Sequence, residues 1–105
     1  MIKNRLQILI MSSKEELLKQ YSNISKVQKQ AKKLGLNPVE ISSRKDKKYM
    51  IRDDEGHLKH FGLMGYQDYT VHGDEKRREA FRRRNHRWKD APRYSPAWLS
   101  YWLTW

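Results

Sequence analysis

A chain of 105 residues with 23 Lys and Arg against 12 Asp and Glu, a net charge of +11, is one small basic domain at most, with room for a tail or arm. Cysteine is absent, which excludes disulfides and Cys-ligated zinc, and no apolar run reaches the roughly 18 residues that span a bilayer. Ten Leu, six Ile, three Val and two Phe are few for a core, so four Trp and six Tyr must supply much of the buried area.

Residues 1–12 read as an N-terminal extension or arm, and 13–105 as a single basic α+β domain. Leu6, Ile8, Leu9 and Ile10 make the start mildly apolar, but it lacks the long apolar region and small-residue cleavage site of a signal peptide. A start at Met11, with residues 1–10 as an extension, is the other reading of this segment. Ser12 and Ser13 stand three residues before Glu15 and Glu16, a capping arrangement that opens a helix near Lys14. Leu17, Tyr21, Ile24, Val27 or Gln28, Ala31 and Leu34 then recur at helical spacing and form its buried face. Asn23 and Ser25 are poor interior residues, so the segment is one helix or a pair broken near 22–24. Gly35 suits the left-handed position after the last turn, and Pro38 stops continuation. Lys19, Lys26, Lys29, Lys32 and Lys33 form a solvated outer face.

From Pro38 the period changes. Val39 and Ile41 alternate with polar neighbours as a short strand, 48–52 reads as a second, and 58–61 as a third. Ser43 to Asp46 and Asp53-Asp54-Glu55-Gly56 are the intervening turns. The acidic trio lacks the ligand spacing of a calcium loop and reads as a turn. The result is a three-stranded antiparallel meander.

Residues 63–73 read as an ordered loop carrying Tyr66 and Tyr69. Asp74 caps an Arg-rich helix of about 15 residues, with Phe81 and Trp88 seven apart on one face. Ser95 and Pro96 then open a short Trp-rich C-terminal helix. On it Trp98, Trp102 and Trp105 fall at i, i+4 and i+7, with Leu99 and Leu103 beside them. These rings, with Phe61, Tyr66, Tyr69, Phe81 and Trp88, are expected to build the core or an interface. Base stacking on exposed rings is the competing reading.

The arginines carry the chemistry. Guanidinium pairs with phosphate through two parallel, charge-assisted hydrogen bonds, and Arg78, Arg82, Arg83 and Arg87, with Lys47 and Lys48, are the expected phosphate contacts. Arg77 and Arg84 flank the Phe81–Trp88 stripe and could stack on its rings. His57, His60, His72 and His86 have no paired zinc spacing. The sequence holds no Gly-rich phosphate loop, nucleophile triad or paired-carboxylate pattern, so no enzyme activity, cofactor, metal or small-molecule substrate is expected.

Lys47-Lys48-Tyr49, His60-Phe61-Gly62, Gly65-Tyr66-x-Asp68-Tyr69-Thr70, the Arg-rich helix with Phe81 and the Trp-Leu-x-x-Trp-Leu ending together resemble a family of small basic proteins of uncharacterised role encoded by large nucleocytoplasmic DNA viruses. More distantly, the order of aromatic strand, Phe-Gly, Arg-rich helix and terminal Trp is similar to the dinoflagellate/viral nucleoproteins, which package DNA. The likeness spans residues 31–105. The family places Arg-His three and four residues after the aromatic; here those positions are Arg84 and Asn85, with His86 one residue later.

Charge and resemblance together imply a virion-associated protein that binds DNA, or another polyanion, without sequence specificity. It would be found in the virion and, during infection, in a cytoplasmic factory or the nucleus. The alternative is a minor capsid or scaffold protein docking on acidic viral structural subunits, and an RNA-associated assembly protein is a third class.

Overall fold

The computed structural model describes residues 13–105. The expected 1–12 arm, including Ser12 and Met11, lies outside the described residues. Residues 13–18 are helical (α1), and a turn leads to α2, Ile24–Lys33. Of the two readings, one helix or a pair broken near 22–24, the pair is found, because the Asn23 side chain accepts the Lys26 N–H and starts a new helix. On α1 the buried residue is Leu18; Leu17, expected on the apolar face, is 45% exposed. The break resets the helical phase, so spacing counted across it places the wrong leucine inside. Val27 and Ala31 of α2 are buried as their spacing requires.

Strands β1 (Val39–Ile41), β2 (Lys47–Arg52) and β3 (Leu58–Leu63) form an antiparallel meander in that order. Tyr49 lies opposite both Ile41 and Phe61, and Val39 opposite Ile51. Residues two apart share a sheet face, so this register gathers Val39, Tyr49, Ile51 and Phe61 into the core. The β2–β3 turn is closed by Asp53, whose Oδ1 accepts the Glu55 and His57 N–H groups.

Asp68 then caps a short helix, α3 (Tyr69–His72), inside the stretch expected to be an ordered loop. Its side chain accepts the Thr70 N–H, the same Asx chemistry that Asp74 uses to start α4, Glu75–Arg84. Helix α4 has 10 residues, not about 15. It stops where the Asn85 side chain donates to the Phe81 carbonyl, and a 3-10 helix, His86–Asp90, follows. Ser95 and Pro96 open α5 (Pro96–Leu99) as expected, and α5 runs into a π-helical segment, Ser100–Thr104.

The sheet's inner face meets α2 and the C-terminal segment, with Leu99 and Leu103 in the core beside Tyr94. The tryptophans are not its centre. Trp98, Trp102 and Trp105 are each only half-buried, and the leucine stripe beside them fills the interior. The π segment widens the turn, so α-helical spacing does not carry across it. Tyr94 holds a positive φ of 68°, a conformation side chains rarely adopt. Its buried ring and its hydroxyl, which accepts the Asn37 N–H at 3.1 Å, keep it there.

Candidate nucleic-acid interface

Helix α4 sorts its arginines by face. One helical turn separates Arg78 from Arg82, and both reach the same atom. Arg78 Nε and an Arg82 terminal nitrogen each donate to the Trp105 carbonyl oxygen at 2.9 Å. Arg78 also lies over the Tyr69 ring, 4.5 Å from its centroid, and Arg82 over Tyr101 at 5.3 Å. The Trp105 ring stacks on Phe81, with centroids 4.2 Å apart and planes 6° from parallel, and meets His72 on another side. Burial and the neighbouring Arg78 lower the Arg82 pKa from its usual range. These two arginines, expected on phosphate, instead clamp the C-terminal segment to α4.

Lys48 is a second correction. It is 3% exposed, with Nζ 3.1 Å from Oδ2 of the fully buried Asp68. Gly62 makes this possible: a Cβ there would lie 3.1 Å from Lys48 Cβ, so the missing side chain lets the lysine stem pass. Asp68 Oδ1 also accepts from the Thr70 N–H and hydroxyl. Thr70 Oγ1 accepts the Asn23 N–H and lies 3.2 Å from Ser22 Oγ, which accepts from the Tyr49 hydroxyl at 2.6 Å. This buried polar chain ties the α1–α2 break to β2 and α3. Satisfied polar networks of this kind fix one arrangement of a small core. Burial pushes the Lys48 pKa down, opposed by Asp68, and pushes the Tyr49 phenol well up.

What remains exposed forms a different surface. A half-open groove of about 800 Å³ lies between the β2–β3 end and α4. Lys47, Leu63 and Tyr66 line it from the sheet and the following loop; Arg77, Ala80, Phe81 and Arg84 line it from α4. Lys48, Gly62, Gln67 and Trp88 also line it, as do Pro96, Ala97, Ser100, Thr104 and Trp105 of the C-terminal segment, and the lining contains no Asp or Glu. Positions 77, 80, 81 and 84 share one helical face, which is why they line the groove together. Arg83 and Arg87 are exposed but do not line it. Of the six expected phosphate contacts, only Lys47 belongs to the groove with its side chain free of the core. Arg77 and Arg84 join it, and their spacing around Ala80 and Phe81 was the available signal.

The remaining expected residues divide similarly. Phe61 is core, and Tyr69 donates to Glu75 beneath Arg78. Tyr66 is 66% exposed at the groove mouth. Trp88 meets Phe81 edge-on, Trp102 donates to the Lys89 carbonyl, and Trp98 packs on the core margin. His60 Nδ1 pairs with Ser42 Oγ at 2.7 Å, while His72 Nδ1 accepts the Asp74 N–H. Among the described residues no group of three or more His, Cys, Asp or Glu could hold a metal ion. No helix among them is long and apolar enough to cross a membrane.

Residues 38–85 match a sequence family described as "Family of unknown function (DUF5754)". The chain is similar to that family from β1 to the end of α4, a span that includes Lys48, Gly62 and Asp68. No curated protein and no solved structure matches the chain.

Proposed function

We propose that this protein binds DNA without sequence specificity, through phosphate contacts, as a virion-associated component that packages or organises a genome. The observation that carries the reading is the groove whose rim presents Lys47, Arg77 and Arg84 with no carboxylate in its lining. A net charge of +11 surrounds it with a field that attracts polyanions. Exposed Arg83 and Arg87 add contacts beyond the groove. Each phosphate neutralised releases counterions, so affinity comes from the backbone of the polymer and not from its bases. The resemblance to small basic viral proteins supports a viral setting, and the more distant one to DNA-packaging nucleoproteins supports the same polymer.

Fluorescence anisotropy with duplex DNA of unrelated sequences tests this. Sequences should bind alike, and affinity should fall by orders of magnitude between about 50 and 200 mM salt if six or more phosphates are engaged. Absence of binding at the lower salt would sink the proposal.

A further inference from the structure

The groove contains more than a phosphate clamp requires. Cations alone suffice to hold a duplex backbone, and a duplex hides the faces of its bases. This groove adds rings: Tyr66, exposed on its loop, Trp88 beside Phe81, and Phe81 itself. Its volume, about 800 Å³, lies within the roughly 300–1,000 Å³ typical of small-molecule sites, room enough for a base. Lys47, Arg77 and Arg84 line the same space, so aromatic rings and cations share one concavity. Aromatic faces beside a basic track are what unpaired nucleotides gain from, because each base offers a π-face and each linkage a phosphate.

Resting on the DNA-binding reading above, we infer that the groove between β3 and α4 takes single-stranded nucleic acid. Bases stack on Tyr66 and Trp88, and the adjoining phosphates lie on Lys47, Arg77 and Arg84. Arg78 and Arg82 do not take part, since both are committed to the Trp105 carbonyl. The absence of any acidic lining removes the repulsion that would otherwise oppose a polyanion entering a confined space.

The test compares a labelled oligo(dT) of about ten nucleotides with a duplex of equal length, using the full chain at one salt concentration. The single strand should bind more tightly per nucleotide. Tyr66→Ala should weaken it about tenfold, the loss expected of one stacked base, with duplex affinity unchanged. Ala80→Glu, which puts bulk and a carboxylate among the groove's cations, should weaken the single strand more strongly and the duplex with it, whereas Gln30→Glu on α2 carries the same charge change away from the groove and should leave both nearly unchanged. Tyr66 is exposed, so its variant tests the site without endangering the core, and thermal melting verifies this. Equal binding of strand and duplex, both indifferent to Tyr66→Ala and Ala80→Glu, overturns the groove assignment and leaves non-specific phosphate binding standing. Failure to bind either form overturns both. A parallel oligo(U) titration separates RNA from DNA as the source of the strand.

Discussion

Replacing Asp68 with Asn isolates the Lys48 ammonium while preserving volume and the cap of α3. The pair is buried on both sides, Lys48 at 3% and Asp68 at 0% exposure, with a nitrogen–oxygen distance of 3.1 Å. Removing one partner of a buried pair costs roughly 3–5 kcal/mol, because the surviving charge stays desolvated. The Asn carbonyl still accepts the Thr70 N–H, so Asp68→Asn should fall at the lower end, about 3 kcal/mol. That is a large share of the roughly 5–15 kcal/mol that holds a small domain together. At roughly 4–8 °C per kcal/mol for domains near this size, Tm drops by about 12–24 °C. Urea melts should show the same loss with an unchanged slope. Adding Lys48→Met should recover most of it, since the stranded charge is gone. The deficit should also shrink as pH rises toward the ordinary lysine value of 10.5. Burial lowers the folded Lys48 pKa, and without Asp68 nothing opposes this, so below 10.5 the unfolded chain binds more protons and stability climbs with pH. A change in Tm below about 2 °C for Asp68→Asn would refute the reasoning: Lys48 would then reach solvent and be free for phosphate after all.

Four further outcomes follow from the same geometry. Arg78→Gln and Arg82→Gln should each cost about 1–2 kcal/mol in a denaturant melt, through the lost bonds to Trp105, and leave the salt slope of DNA binding intact. Arg77→Gln and Arg84→Gln should show the reverse, each lowering that slope by about 1 with Tm nearly unchanged. Stability should fall as pH rises above 10.0, because the unfolded phenol of Tyr49 ionises there while burial keeps the folded one protonated; Tyr49→Phe should remove that limb of the pH profile. Gly62→Ala should destabilise by about 1 kcal/mol or more, since φ is +79° and the new methyl would press on Lys48 Cβ; a neutral result in thermal melts would refute the packing of that stem.

The local features were legible because their causes lie within a few residues. Asn23, Asp74 and Ser95 each cap a helix with their own side chain, and Asp53 to Gly56 close a turn in the same way. Alternation in 39–41, where a sheet buries every second residue, and the short apolar run Tyr49 to Ile51 between charged neighbours marked the first two strands. The α+β meander, with its helical start and finish, therefore follows from short-range chemistry.

The candidate site did not. The arginines of α4 are nearly continuous in sequence, so composition gives no preference among them. Which turn faces inward was decided by where the Trp105 carbonyl came to rest, 23 residues beyond Arg82. Lys48 likewise resembles any strand-edge lysine until Asp68, 20 residues away, is folded against it through the gap at Gly62. A π-helical finish moved the tryptophans off the core axis and gave that place to Leu99 and Leu103. The sequence by itself determined the elements, their order and the excess positive charge. Only the tertiary structure decided which cations are free and which are spent inside, because that choice depends on partners brought together by the fold.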